Sequence, residues 1–559
     1  MQPAHFHNHP ATTLARRTGW RTLALVLFSL WLTGCASLPS AVDRPVSTAL
    51  TNPAETRLGS LVAVRAQKAG TRNDSGFALV GDAELAFSSR MVLIKAAQKT
   101  LDIQYYAIFA DETTERLFDA LRDAAGRGVR IRILLDDFNT SGKNAQVLKL
   151  AFERNIELRL FNPLPGGRGS MVTRVLGNLK DAGRMQRRMH NKMLVADNAV
   201  AITGGRNLGE TYFGQSEGTN FVDIDVLAAG RIVRELSRSF DQYWNNPLAY
   251  PVESLMTLQE IDALKPQPAV AAVDQETAGP VPAAPPAVVT LATAPTDAAP
   301  APSTLPDTTD LSLLPWTWAP SVLLVDKPSK IAADADATEA AQDTAVDGLL
   351  QLMAQAQRSV LIVSPYFVPG ERMLETFANL RRRDVQIRVL TNSLASNDAP
   401  AAHVGYARYR RALLGLGIEL YEMRAEQEGT FRSFGASALG SGSGSGGAGS
   451  SRASLHSKVV VMDDALLVVG SMNLDLRSQL HNSEVAIVIR NRTISAEATR
   501  LIEPTLAKDA YRVELRDQQL RWRAPPGAAF PDAVSEPDAS LGLQFITTLI
   551  APFAPDEML

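Results

Sequence analysis

At 559 residues the chain is too long for a single hydrophobic core, so two domains or one duplicated domain are expected. Hydrophobic residues make up 45% and charged residues 21%, as in an ordinary globular protein. A formal net charge of -3 argues against a general nucleic-acid binder, which carries a strong basic excess.

The N-terminus reads as a processing segment. Arg16, Arg17 and Arg21 precede an apolar run, Leu23 to Trp31, far shorter than the roughly 20 residues a membrane-spanning helix needs. Leu32, Thr33, Gly34 and Cys35 follow and resemble the bacterial lipobox, which implies cleavage before the cysteine and its lipidation. Cys35 is the only cysteine, so it has no intramolecular disulfide partner, and a lipid anchor accounts for it. An uncleaved signal anchor is the alternative. On this reading residues 1–34 are a lipoprotein signal peptide and residues 35–75 a tether. Acyl chains contribute about 0.8 kcal/mol per buried methylene, enough for several together to hold a protein on a bilayer. Ala36, where an aspartate would favour inner-membrane retention, points to the outer membrane of a bacterial envelope. Cleavage would take the formal charge from -3 to -6 and leave His190, His403, His456 and His481. So few histidines make a multi-histidine metal site hard to assemble, and no metal or cofactor is expected.

Residues 76–260 form the first of two similar regions. "AAQKTLDIQYYAIF" (96–109) and "GVRIRILLDD" (128–137) contain apolar runs suited to buried strands. Arg168, Arg174, Lys180, Arg184, Arg187 and Arg188 cluster next, either to draw anionic headgroups toward a site or as a solvated loop. Then comes "RRMHNKMLVADNAVAITGGRN" (187–207), with His190, Lys192, Asp197 and Asn207, followed by the apolar run "FVDIDVLAAG" (221–230). A Pro/Ala-rich linker occupies residues 261–312.

The pattern then repeats across residues 313–500. "QAQRSVLIVSPYFV" (355–368) parallels 96–109, and "DVQIRVLTNS" (384–393) parallels 128–137. Tyr366 and Phe367 suit either an acyl groove or the core. A Gly/Ser-rich stretch (435–454), either a loop bordering the site or a surface insertion, leads into "LHSKVVVMDDALLVVGSMN" (455–473) and then "SEVAIVIRN" (483–491). His456, Lys458, Asp463 and Asn473 match His190, Lys192, Asp197 and Asn207 in spacing and in the glycine turn before the asparagine. Strands alternating with helical patterns predict an α/β protein of two halves, each a mixed sheet flanked by helices. Residues 501–559 are a C-terminal extension ending in an apolar stretch, Ser540 to Leu559, too short and proline-interrupted to span a bilayer. It would dock on the second half or rest on the membrane.

The repeated residues suit phosphoryl chemistry. Side chains two apart on a strand share a face, so each lysine stands beside its histidine. A neutral imidazole can attack phosphorus while a lysine ammonium neutralises the non-bridging oxygens, and the asparagine can donate to the same oxygens. One copy supplies half a site. Two copies facing across a pseudo-twofold axis give one site at the interface, with a nucleophile on one side of phosphorus and an acid on the other.

The duplicated His-x-Lys-x4-Asp motif with its Gly-Gly/Ser-x-Asn turn resembles the phospholipase D superfamily over roughly residues 76–500. The first motif, "SPYFVPG" (364–370) and the lipobox resemble the C-type bacterial cardiolipin synthases and their lipoprotein relatives. The resemblance implies a metal-independent phosphatidyltransferase acting through a phosphohistidine. In it His190 would be nucleophile, His456 acid and then base, and Lys192, Lys458, Asn207 and Asn473 would hold phosphate. An acidic residue behind each histidine is also implied. Glu484 and Asp223 are the candidates, with Asp225 as the alternative to Asp223. Asp197 and Asp463 resemble supporting positions. The expected partners are a bilayer and the substrates phosphatidylglycerol and phosphatidylethanolamine, with cardiolipin as product. Phospholipid hydrolysis is the alternative, followed by a nuclease, which the acidic charge disfavours. A catalytically silent envelope scaffold is disfavoured because both motifs are intact. His403 and His481, outside the motifs, read as supporting or surface residues.

Overall fold

The computed structural model describes residues 37–178, 181–216, 218–263, 315–332, 344–426 and 452–558. Cys35, Lys180, nearly all of the Pro/Ala-rich linker and most of the Gly/Ser-rich stretch lie outside the described residues.

The first half begins with helix α1 (Arg57–Lys68), strand β1 (Ser75–Val80), helix α2 (Ala83–Ala96) and β2 (Thr100–Tyr105). It continues with α3 (Glu112–Gly126), β3 (Arg130–Asp136) and β4 (Ile156–Phe161). The motif hairpin is β5 (Met193–Ala196) and β6 (Val200–Gly204). Strands β7 (Thr219–Val222) and β8 (Asp225–Gly230), helix α4 (Arg231–Trp244) and β9 (Ala249–Pro251) complete this half. Strand β10 (Thr317–Ala319) lies beyond the linker in sequence yet pairs with β1. The resulting nine-stranded sheet runs β10-β1-β8-β6-β5-β2-β3-β4-β9.

The second half repeats this plan. Its elements are β11 (Ser321–Val325), α5 (Ala345–Met353), β12 (Ser359–Val363), β13 (Phe367–Val368), α6 (Gly370–Arg382), β14 (Gln386–Asn392), α7 (Pro400–Gly415) and β15 (Glu419–Met423). Next come β16 (Arg452–Leu455), the motif hairpin β17 (Val459–Met462) and β18 (Leu466–Gly470), then β19 (Leu474–Asp475), β20 (Val485–Arg490) and α9, reached after the short helix α8 (Leu476–Leu480). Helix α9 spans Arg492–Pro504, and β21 (Ala510–Arg516), β22 (Gln519–Arg523) and α10 (Leu541–Ile550) follow. The second sheet runs β11-β20-β18-β17-β12-β14-β15-β21-β22. The expected α/β fold of two related mixed sheets is what the chain forms.

Strand alternation explains the layering. Met193 and Val195 face a central core while Leu194 faces an outer one, and Val459 and Val461 face that same central core while Val460 faces outward. Helices α4 and α9 fill the central layer between the sheets, through Leu236, Phe240 and Trp244 and through Ile494, Ala498 and Ile502. The halves therefore share one core. Between them β7 and β16 pair in parallel, Thr219 to Val222 against Arg452 to Leu455. Met189 and Ser483 form a matching bridge.

Residues within the expected tether pack on the first half from Arg44 onward, with Arg132 donating to the carbonyl of Ser47 at 2.9 Å and α1 lying on the sheet. Phe367 is core, against Phe377 and Tyr406, whereas Tyr366 donates its hydroxyl to Asp398 at 2.9 Å. No helix among the described residues is long and apolar enough to cross a membrane.

Candidate active site

Each catalytic candidate sits where a strand begins or ends at one end of the two sheets. His190 immediately precedes β5, and its backbone N–H donates to the carbonyl of Ser483 at 2.9 Å. His456 precedes β17, and its N–H donates to the carbonyl of Val222, also at 2.9 Å. Each histidine is thereby fixed to the strand of the opposite half that carries the next acidic residue. The side chains repeat the exchange. His190 Nδ1 is 3.0 Å from Glu484 Oε1, and His456 Nδ1 is 2.9 Å from Asp223 Oδ2. All four side chains are buried. A carboxylate at Nδ1 holds the imidazole with its proton there and leaves Nε2 as the reactive atom. Among the described residues, neither Nε2 has a hydrogen-bond partner.

The two pairs differ in charge. Burial pushes His190 down to about 4, against the pull of Glu484. Burial would raise Glu484, but His190 and Lys192, with a hydrogen bond from Ser471, hold it below its ordinary value. Ser478 donates to its other oxygen at 2.9 Å. Burial pushes His456 well down too, reinforced by Lys458 and Lys192. Asp223 is raised to about 7 by burial, against the pull of Lys458 and Arg206. One pair is thus an ionised carboxylate with a neutral imidazole, and the other retains a proton near neutrality.

Lys192 Nζ donates to the carbonyl of His190 at 2.8 Å, and Lys458 Nζ donates to that of His456. Burial lowers both, Lys192 well below its ordinary value and Lys458 to about 8. Each lysine thus lies beside its histidine, although both residues of each pair precede the strand rather than lying on it. Asn207 is committed elsewhere, donating to the Tyr212 hydroxyl at 2.9 Å and accepting from the N–H of Ala107 at 3.2 Å. Among the described residues, the buried carbonyl oxygen of Asn473 has no partner.

Asp197 and Asp463 do not face the site. Asp197 accepts from the N–H groups of Gln98, Lys99 and Thr100, and Asp463 from those of Gln357, Arg358 and Ser359. Each ties its motif hairpin to the start of the neighbouring strand. Asp225, the alternative to Asp223, lies away from the histidines and is held by Arg90 at 2.9 Å and Arg206 at 3.3 Å. His403 is buried beside Arg410 and Glu536, and His481 is partly buried near Arg187 and Arg477.

Three arginines of the cluster fit neither sequence expectation. Arg168 and Arg174 are buried and both bind Asp137, and Arg188 is buried beside Asp136 and donates to the carbonyl of Asn162 at 2.7 Å. These guanidiniums brace the loop leading to His190. Arg184 pairs with Asp181 at 2.9 Å.

Sequence reasoning missed the aromatic frame. Tyr106 meets the His190 ring edge-on at 5.0 Å, and Tyr212 and Phe221 meet that of His456 at 5.1 and 5.0 Å. The frame breaks the repeat, since Tyr106 aligns with Pro365, so duplication gave no signal for it. Among the described residues, no group of three or more His, Cys, Asp or Glu is arranged to hold a metal ion.

A family profile described as "Cardiolipin synthase, PLD-like domain" matches residues 91–244 and 349–505, one segment in each half. The chain is 34% identical to cardiolipin synthase C of Escherichia coli K12 over 439 residues, 78% of this chain and 85% of that protein. The chain belongs to the cardiolipin synthase family of phospholipase D-like proteins. It is an enzyme of the phospholipase D type. An uncharacterized Helicobacter pylori protein is 29% identical over 93% of this chain and 97% of its own length. Among solved structures, phosphatidylserine synthase of Haemophilus influenzae matches with a TM-score of 0.49 at 13% identity, covering 80% of this chain and 91% of that one. The two profile segments include both histidines and their carboxylate partners.

Proposed function

We propose that the chain is a membrane-anchored phosphatidyltransferase that makes cardiolipin from phosphatidylglycerol and a second phospholipid. The observation that carries this reading is the crosswise pairing, in which each histidine is oriented by the other half's carboxylate with its Nε2 free and a lysine beside it. His190 is neutral at physiological pH, so its Nε2 lone pair can form a bond to phosphorus. The bond from phosphorus to the headgroup oxygen then breaks, and the proton held by the His456–Asp223 pair goes to the leaving alcohol. Lys192 and Lys458 balance the charge of the phosphoryl oxygens. In the second half-reaction His456 takes the proton of a phosphatidylglycerol hydroxyl. That oxygen bonds to phosphorus as the N–P bond breaks, and His190 is regenerated.

The site supports the order of the two histidines as well as their presence. Of the pair, only the Asp223 side retains a proton near pH 7, which suits the acid, and only the Glu484 side is ionised behind a neutral imidazole, which suits the nucleophile. A bound diester anion also adds the negative charge that His456 needs in order to hold a proton beside two lysines. The lipobox at Cys35 supports anchoring in the envelope, with the outer membrane favoured, and a shared surface raises the effective concentration of lipid substrate.

The test is the purified chain with phosphatidylglycerol, with and without phosphatidylethanolamine, and products read by mass spectrometry. Cardiolipin from wild type and none from His190→Ala or His456→Ala is the expected outcome. Dependence on phosphatidylethanolamine names the donor. Phosphatidic acid alone would identify water as the acceptor and a phospholipase instead. No lipid product would sink the reading and turn attention to other phosphodiesters.

A further inference from the structure

Helix α10 is built inside out. Leu541, Phe545 and Leu549, at successive intervals of four, are 85%, 69% and 60% exposed, with Ile546 and Ile550 beside them at 51% and 38%. The face turned to the protein carries Thr547, whose hydroxyl donates to the carbonyls of Leu543 and Gln544 at 2.9 and 3.0 Å. No charged residue occurs between Leu541 and Ile550. A surface helix ordinarily turns its apolar arc to the core, and a contiguous exposed apolar face marks an interaction site. The helix is fixed in this orientation. Arg424 binds Asp538 just before it at 3.0 Å, and after it Arg408 donates to the carbonyls of Ala551 and Ala554 and binds Asp556.

The anchors of α10 locate this face at the end of the molecule that bears the histidines, and two further segments share that end. Strands β2, β3 and β4 run parallel and finish there, as do β12, β14 and β15; Gln104 pairs with Met193 and Val363 with Val459, just after the two motif starts. Arg424 directly follows β15, and the closing turn Asp556–Met558 rests against α8, just past Asn473. On the first half, the short helix Met171–Gly177 stands at the same end, anchored through Arg174 on Asp137 just past β3, and exposes Val172 at 68% and Leu176 at 62%. The N-terminal chain emerges there too. Arg44 donates to the carbonyl of Ala249 at 3.1 Å, and Ala249 pairs with Phe161 at the finish of β4. By Leu50 the chain has reached the opposite end, where Asn198 in the β5–β6 turn donates to its carbonyl at 2.8 Å.

We propose that the histidine-bearing end is a bilayer-docking surface, with α10 lying in the headgroup–acyl boundary and Val172 and Leu176 touching the lipid across the site mouth. The inference deepens the phosphatidyl-transfer reading and rests on it. A bilayer fits this face because the apolar arc is uncharged and because the chain leading back to Cys35 leaves from the same end. The residues from Cys35 to Arg44 reach at most about 30 Å even fully extended, so a lipid on Cys35 keeps that end close to the membrane. A phospholipid then enters the site without leaving its leaflet.

The experiment uses the full chain carrying Phe545→Trp, added to vesicles of phosphatidylglycerol and phosphatidylethanolamine, some with brominated acyl chains. The added tryptophan emission is expected to shift to the blue and to be quenched at least two-fold by the brominated lipid. An unshifted, unquenched signal overturns the proposal, and a blue shift without quenching overturns it in favour of a second protein copy covering the helix. Alongside, Phe545→Glu with Leu549→Glu is expected to lower turnover on vesicles at least ten-fold while leaving turnover of a monomeric short-chain phosphatidylglycerol unchanged. Equal loss on both substrates, or none on vesicles, overturns it. If wild type yields no lipid product at all, the transferase reading fails, and the quenching result still decides the docking.

Discussion

Gly205 and Ser471 hold the same place in the two motif copies, and the difference sets the two halves of the site apart. A Cβ on Gly205 would run into the carboxylate of Asp223, whereas the Ser471 hydroxyl donates to Glu484. The serine helps keep Glu484 ionised, and its absence leaves Asp223 free to hold a proton. Gly205→Ala should displace Asp223 and lower kcat by about 10- to 100-fold with little loss of fold, read from turnover and a thermal melt on the same preparation. The pH profile of kcat/KM follows from the same asymmetry. His190 must be neutral, so the rate rises as pH passes about 4, and the His456–Asp223 pair must hold a proton, so it falls as pH passes about 7. Asp223→Asn removes the carboxylate from His456 and should move the falling limb to lower pH. A limb that stays in place on a soluble short-chain substrate would remove the pair from the acid role. Glu484→Gln should lower kcat by about 100-fold or more while His190 remains present, measured by turnover. At this scale duplication marked both histidines and both lysines, while the acidic candidates Glu484 and Asp223, with Asp225 as the alternative, came from the family resemblance. It did not reveal that the partners cross between halves, since that follows from the interface and not from spacing. The hydrogen bond from Asn207 to the Tyr212 hydroxyl was not legible either, because that tyrosine has no match in the second copy.

The motif aspartates act on whole elements. Asp197 and Asp463 lie at φ 51° and 53°, in the left-handed region that aspartate and asparagine tolerate best among side chains larger than glycine's. From there each carboxylate collects three N–H groups at the start of β2 or β12, which has the last turn before the strand to satisfy. Asp197 is fully buried, so Asp197→Ala leaves one buried and two partly buried donors without their acceptor and should cost about 1–3 kcal/mol of stability. Asp197→Asn keeps the backbone angle and one acceptor and should cost less. Denaturant unfolding compares the two, and an activity loss without a stability loss in either would put the aspartate in the chemistry instead. The strands of both halves were readable as apolar runs between turns, because buried strands are continuous in hydrophobicity. The edges were less readable. Strand β10 pairs across to the first sheet, and β21 and β22 extend the second, because edge pairing depends on which neighbour is within reach and leaves little mark on three to seven residues.

The two halves make one molecule through a core neither can close alone. Leu236, Phe240 and Trp244 of α4 and Ile494 and Ile502 of α9 are buried in the same cluster as Val363, Val461 and Ile487. The backbone joins the halves again through β7 and β16 and through His190 to Ser483. All of these contacts are made by residues outside the connection 264–314, and just after it Thr317 to Ala319 pairs with β1 and Ser321 to Val325 with β20. A chain given a protease site between Pro280 and Pro300 and then cut should therefore elute as one species of unchanged size, still joined by the shared core. It should keep most of its turnover, because each histidine and its carboxylate stay on opposite pieces held in register by the interface. Separation of the pieces by denaturant should abolish turnover completely, since Glu484 then leaves His190 and Asp223 leaves His456. Dissociation of the cut protein without denaturant would show that the covalent connection, and not the common core, holds the site together.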